Sequence, residues 1–345
     1  MSVVVVVGVG MRTPVGLYAD ATAAAVRAGV SRLGMHPSWI DKTGEPMKVA
    51  MDGVLDPLMP LRDRWGALAG SALTEALGGV RPGVKVGLFV AMAEHGPGWE
   101  PESAQKALSD LVQGETRSLS DVRVFSRGNA AGYSALEAAC SLLRARQLEV
   151  AVLLGVDSYI DAVRLEGLDA QRQLQNQANR IGFVPGEGAA ACVLCVDSIA
   201  RSLGLRPLVS ILGSGTAMER AVIRTDDVCV GEGLAEAIRA ATAGMRLPEQ
   251  KIGRTLCDIN GESYRSEEFM YIPLRVQAPF VDANRYEAPA DAVGDVGAAS
   301  CPFHIGLVAA GARRRVPQPG YALTWASSEG GLRGAAALQV LGGGR

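Results

Sequence analysis

The stretch from Phe125 to Asp157, FSRGNAAGYSALEAACSLLRARQLEVAVLLGVD, constrains the fold more than any other part of the chain. Small residues crowd its start: Gly128, Asn129, Ala130, Ala131 and Gly132. Tyr133, Leu136, Cys140 and Leu143 then recur at helical spacing, which marks one buried helix face. Val150 to Leu154 is an apolar run closed by Gly155, the pattern of a strand covered on both faces. A tight turn, a buried helix and a buried strand in that order throw one side chain onto a helix N-terminus between sheet layers. Nucleophiles sit on turns of this kind. Here the position holds Asn129.

Composition narrows the rest. The 345 residues suffice for a large core or two fused halves. Hydrophobic residues make up 48% and aromatics only 5%, so Gly, Ala, Val and Leu carry the packing, as in layered α/β proteins. The net charge of −2 gives no reason to expect nucleic acid or an anionic membrane as partner. The basic run Arg313–Arg315 follows the apolar stretch 305–310 and reads as cations at a helix C-terminus. Six scattered cysteines, several in apolar runs, favour reduced thiols and a cytoplasmic location. Cys192 and Cys195 have CxxC spacing but lie in a strand-like run, where i and i+3 point to opposite faces. No metal or cofactor is expected. The start MSVVVVVGVG reads as a first strand rather than a signal peptide, and no apolar run approaches the ~20 residues of a membrane span.

Taken in order, 3–7 is a β-branched strand closed by Gly8 and Gly10, with a tight loop after it. Helices are expected over 21–28, 61–77 and 234–243, the second ended by Gly78 and Gly79. Strands are expected over 84–90, 207–213, 255–259, 321–326 and 334–341. Residues 94–99 form a Gly/Pro loop, 170–180 a polar Gln/Asn segment, and 182–196 a glycine turn entering a buried strand. The order of turn, helix, strand, glycine turn and strand over 129–196 is echoed over 295–341. Two halves, 1–205 and 206–345, joined in one compact unit are therefore expected.

These features together resemble the β-ketoacyl synthase branch of the thiolase fold. VVVVGVGMRTPVG looks like the family's first strand and glycine turn, and RDRWGALAGSALTEAL like its first long helix. GFVPGEGAAACVL is the most specific piece: Gly182, Phe183, Gly186, Glu187, Gly188 and Ala189 stand in the family's order. GDVGAAS at Gly294–Ser300 and the loop SSEGG complete the set. The resemblance covers nearly the whole chain and implies an α/β thiolase fold, duplicated βα halves in five layers (αβαβα).

The family's chemistry needs a cysteine at the elbow to take the acyl group. Two histidines hold the thioester carbonyl of the incoming malonyl unit, and a lysine organises one of them. By the resemblance, those positions carry Asn129, Asn260, Asp295 and Ala290 in this chain. Glu329 stands at the aromatic gate, a poor neighbour for a fatty tail. Glu329, His95, Glu187 and Phe183 are the expected pocket residues, with Glu187 a structural hydrogen-bonding carboxylate rather than an acid catalyst. Asn129 and Asp295 are also natural helix N-caps, and Asn260 before Gly261 is ordinary turn chemistry. Cys301 and His304, three apart on an expected helix, form a conceivable dyad.

An amide is not a nucleophile at neutral pH, so no covalent acyl intermediate forms at Asn129. The expectation is a β-ketoacyl synthase-like pseudoenzyme: a non-catalytic partner, scaffold or adaptor. It would form a homodimer, or a heterodimer with an active synthase or another protein, with an acyl carrier protein as a further partner. The alternative is an acyltransferase or hydrolase acting on acyl thioesters, with backbone N–H groups near Asn129 and Glu329 as oxyanion hole and Asp295 or His95 as base.

Overall fold

The computed structural model describes residues 2–115, 118–223, 225 and 227–341. The strands in the N-terminal portion are β1 (Val4–Arg12), β2 (Leu33–Ile40), β3 (Pro46–Ala50), β4 (Val86–Met92), β5 (Leu119–Ser126), β6 (Val150–Ser158) and β7 (Glu187–Val196). Its helices are α1 (Ala19–Arg27), α2 (Leu61–Leu77), α3 (Pro101–Gly114), α4 (Ala131–Arg144), α5 (Ala162–Ala170) and α6 (Asp197–Leu203). The chain continues through β8 (Val209–Met218), α7 (Glu232–Thr242), β9 (Arg254–Cys257), α8 (Ser263–Met270) and α9 (Ile272–Arg275). It ends with α10 (Ala290–Val293), α11 (Ser300–Arg313), β10 (Tyr321–Ser327) and β11 (Leu332–Val340).

Nine of these strands form one sheet in the order β5-β4-β6-β7-β1-β8-β11-β10-β9, and β2 pairs with β3 as a separate hairpin. The sheet is duplicated about its centre. On one side β4 runs parallel to β6, β6 antiparallel to β7, and β7 antiparallel to β1. On the other, β9 runs parallel to β10, β10 antiparallel to β11, and β11 antiparallel to β8. The two sets join where Val4–Val6 of β1 pair with Val209–Ile211 of β8. Where the first set adds β5 at its edge, the second has the parallel bridges of Phe280 to Ile252 and of Glu287 to Leu256.

The layers follow from which faces are apolar. Helix α2 packs on β1, β6 and β7, and α7 on β8 and β11, so each covers one outer face. Helices α4 and α11 lie between the two strand sets and touch both. Every residue of α11 from Ser300 to Ala312 is buried, which explains why FHIGLVAAGA is apolar all round. The result is the expected five-layer αβαβα arrangement. No described helix is long and apolar enough to cross a membrane.

The first strand differs from expectation. It does not close at Gly8 and Gly10 but runs through them to Arg12. A Cβ on Gly10 would lie 2.1 Å from the Ala72 carbonyl oxygen, and one on Gly8 2.5 Å from that of Ala76. These glycines let α2 settle on the strand; they do not turn the chain. Gly10→Ala is therefore expected to lower unfolding free energy by about 1–3 kcal/mol, as overpacking against backbone does. Denaturant titration checks this, with Gly53→Ala, where a Cβ meets open space, as the neutral control.

A candidate site at the paired turns

Strand β5 ends at Ser126, and the chain turns at Gly128, whose φ of 69° is left-handed and suits glycine. The turn 128–130 is a single 3-10 turn feeding α4. Its counterpart 297–299 feeds α11, and the two turns touch. Asn129 comes from the first and Asp295 from just before the second, and both are buried.

Asn129 does not cap its helix. Its Nδ2 donates to Asp295, 3.2 Å from Oδ1 and 3.5 Å from Oδ2. The Ala130 amide instead donates to Ser328 Oγ at 2.8 Å. Asn260 follows β9 and donates from Nδ2 to Asp295 Oδ2 at 2.6 Å, while its own Oδ1 accepts the Glu262 amide at 3.1 Å as turn chemistry requires. The Gly297 amide donates to Asp295 Oδ1 at 2.7 Å, which braces the start of the second turn, but the cap position there is Val296, so Asp295 is not the expected N-cap. One carboxylate thus gathers two side-chain amides and a backbone N–H from three separate segments. Ala290 stands apart at the start of α10, its carbonyl accepting the Gly294 amide.

Arg265 supports this cluster from behind. It donates from Nη1 to Asp258 Oδ2 at 2.6 Å and to the Ser327 carbonyl at 2.7 Å. Its Nε reaches Glu262 Oε2 at 3.3 Å, and Nη2 lies 4.0 Å from Asp295 Oδ2. Burial pushes the Asp258 carboxyl up to about 6 against the pull of Arg265. Burial also raises Glu262.

A cavity of about 260 Å³ opens on Asn129 and Asp295. His95, Phe183 and Glu329 line it, as expected. Glu187 does not. It is fully buried, accepting from Arg64 Nη1 at 2.8 Å, the Asp52 amide at 2.7 Å and Ser158 Oγ at 2.8 Å, and it ties α2 to the end of β6. Its expected structural role fits that setting; its expected place on the pocket wall does not. The wall also carries groups the sequence reading passed over: Glu94, Asp157, Arg164, Glu262 and Arg265. Arg164 bonds Asp157 at 2.8 Å and lies over the Tyr159 ring at 4.6 Å. Gln173 Nε2 donates to Glu329 Oε1 at 2.7 Å, and the Gly330 amide to Glu94 Oε1 at 3.3 Å. A charged residue closing an apolar run was the one available signal for Asp157; Arg265, among Glu262, Ser266, Glu267 and Glu268, gave none.

The remaining candidates fall away from the cavity. Cys301 and His304 lie in the packed middle layer, and neither faces the cavity. Burial holds the Cys301 thiol well above its usual value and, with Arg254 adding to it, pushes His304 down to about 3. Neither a thiolate nor an imidazolium is available there. Cys192 and Cys195 lie on β7 within different core clusters, with thiols pushed up to about 12 by burial. Glu219, Cys229 and Glu268 bring potential ligand atoms within 4.8 Å of one another, yet Glu268 is already held by Arg333 and Ser327 Oγ.

Residues 127–200 match the family described as β-ketoacyl synthase, N-terminal domain. No curated protein matches the chain in sequence. Among solved structures it is similar to the type II PKS assembly AntDE:AntF, an acyl-carrier protein in complex with its ketosynthase bound to the hexaketide. That match has a TM-score of 0.79 and 16% identity over 99% of both chains. It is similar to the ishigamide ketosynthase/chain length factor, with a TM-score of 0.71 and 18% identity over 99% of this chain and 100% of that one. A β-ketoacyl synthase from Burkholderia phymatum STM815 gives a TM-score of 0.76 and 15% identity over 99% and 100%. The chain has the ketosynthase, thiolase-type fold, and over residues 127–200 it also carries the sequence pattern of the β-ketoacyl synthase N-terminal domain.

Proposed function

We propose that this chain is a β-ketoacyl synthase-like protein that has lost condensation chemistry and acts as a non-catalytic partner or scaffold. One observation carries the reading: the side chain at the elbow is an amide bonded to Asp295, the same carboxylate to which Asn260 donates, where the resemblance calls for a thiolate. An amide cannot take an acyl group. Asn129, Asn260 and Asp295 satisfy one another, so in this reading the substitutions form a coherent structural clasp. Ala290, at the expected lysine position, adds no charge. Condensation also needs an anionic malonyl unit to approach, and Asp295 opposes it.

A surface for a partner is available. Strand β5 is the sheet's edge, with Val122 and Val124 exposed at 37% and 42%. An exposed strand edge is a template for pairing with another chain. A second ketosynthase-fold subunit, of this or another sequence, fits that edge, and an acyl carrier protein is a further candidate. The ketosynthase/chain length factor among its structural relatives supports this reading.

A second reading, hydrolysis or transfer on an acyl thioester, draws on the cavity's reaching Asn129. Against it, the Ala130 and Gly330 amides are already taken by Ser328 Oγ and Glu94, and the walls are charged.

The test is incubation with acyl- and malonyl-thioesters on a carrier protein, read by mass spectrometry and carbon dioxide release. The wild type is expected to give no adduct and no release above buffer. Asn129→Cys is expected to give no carbon dioxide release either, since no imidazole stands at positions 260 and 295. Turnover by the wild type that Asn129→Ala abolishes would overturn the proposal.

A further inference from the structure

Strand β2 does not pair evenly with β3. Met35 stands opposite Lys48 and Ile40 opposite Pro46, so residues 36–39 face the single residue Met47 and leave the hairpin as an excursion. Their amides need acceptors that the partner strand does not supply. His36 supplies them. It is 2% exposed, and its Nδ1 accepts the Ser38 amide at 3.2 Å and the Trp39 amide at 3.1 Å. An imidazole accepts at Nδ1 only while that nitrogen carries no proton. The ring also stacks on Trp39, with centroids 4.0 Å apart and planes 6° from parallel. Trp39 in turn packs in one apolar cluster with Phe183, Tyr159 and Leu168, three residues that line the cavity beside Asn129.

The charged groups around the ring either oppose a proton or are engaged elsewhere. On its own hairpin Asp41 turns back to Thr43, Lys42 bonds Asp169, Lys48 bonds Gln175, and Glu45 is exposed. In the segment around Pro57, Asp52 bonds Arg12 and Asp56 takes the Leu58 amide. Asp291 of α10 lies at the start of β2, where its carbonyl takes Ser31 Oγ. Arg64 of α2 is the charge that acts on the ring. Burial holds the imidazole below its ordinary 6.5, the Pro57 carbonyl draws it partway back, and Arg64 lowers it again. Stacking on Trp39 favours an imidazolium, but one ring contact does not offset two amides left without an acceptor beside a guanidinium.

We propose that His36 is an acid-released pin: a proton on Nδ1 frees residues 36–39, and with them the apolar backing of the cavity wall. The opened segment turns its amides to water, and its imidazole titrates at the ordinary value. Below pH 6.5 the closed form binds fewer protons than the opened one, so the segment's stability falls as pH drops through that value. The pin is independent of the non-condensing reading, since it concerns the mobility of the wall and not what the cavity holds.

The experiment is hydrogen exchange of the full chain, read by mass spectrometry at about pH 7.5 and 5.5, with rates corrected for the intrinsic effect of pH. Protection over residues 33–40 is expected to fall at least about threefold at the lower pH, and about tenfold is the ceiling one unit below the ordinary imidazole value. Residues 159–168 are expected to lose protection with it, while β7 keeps its own. His36→Asn puts an acceptor that does not titrate, Oδ1, near the place of Nδ1, and is expected to protect 33–40 equally at both pH values. His36→Ala removes the acceptor and is expected to show the low protection at both. Far-ultraviolet spectra establish that each variant folds. In the wild type, the ring resonances of His36 are expected to titrate in the same window as the exchange, a readout that needs no variant. Equal protection of the wild type at the two pH values, an acid effect that survives in His36→Asn, a loss confined to 33–40, a loss shared equally by β7, or a ring titration with no change in exchange would each overturn the proposal.

Discussion

Arg265→Leu is expected to cost about 3–5 kcal/mol of stability at pH 7.5, the range for removing one member of a buried ion pair. The side chain is 2% exposed and holds Asp258 and Glu262, with Asp295 at 4.0 Å. Leucine would leave those carboxylates without their cation. The loss should be smaller at pH 5.5. Asp258 already stands at about 6 in the fold against an ordinary 3.8, so the folded chain binds more protons than the unfolded one between those values. Its contribution therefore falls as pH rises through that window. Without Arg265 the folded value climbs further, and a lower pH supplies the neutralising proton. Urea titrations of both proteins at pH 7.5 and 5.5 measure this. A loss that does not shrink at the lower pH would refute the electrostatic account.

Arg64→Met is expected to have an effect of the same order, about 3–5 kcal/mol, at a site far from any chemistry. Arg64 and Glu187 are both fully buried and 2.8 Å apart. Burial raises Glu187, and Arg64 offsets that rise. The distinguishing measurement is the double variant Arg64→Met with Glu187→Gln. Glutamine removes the stranded charge and keeps oxygen for the Asp52 amide or Ser158 Oγ. The double variant is expected to recover at least half of the loss, because much of the cost of breaking such a pair is the charge left behind. Thermal or urea unfolding decides it. A double variant no more stable than the single would mean that packing of the guanidinium stem, not charge, held the two segments together.

Much of the fold was legible because its signals are local. Helix α2 was expected over 61–77 and spans Leu61–Leu77, since its period and terminal glycines need no distant partner. The order turn, α4, β6 could be read from small residues and a fully apolar run. Other elements were not foreseen. The β2–β3 hairpin is short and largely exposed, α3 buries only Ala104, Ala107 and Leu111, and β5 leaves its valines in solvent. Their patterns lack the buried stripe that sequence reading relies on. At the site, His95, Phe183 and Glu329 were foreseen as neighbours of Asn129, while Arg265, Asp157 and Glu94 were not, because only packing tells a buried charge from a surface one.

The sequence by itself determined that the elbow carries an amide and that no histidine stands at 260 or 295. Reactivity is a property of the side chain, and no fold turns a carboxamide into a thiolate. Only the tertiary structure decided what those residues do instead. Asn129 and Asp295 are 166 positions apart and Asn260 and Asp295 are 35 apart, and each looked like an independent cap or turn residue. They became one hydrogen-bonded group because the two helix-entry turns meet between the sheet layers, which brings donors and acceptor from three segments within bonding distance.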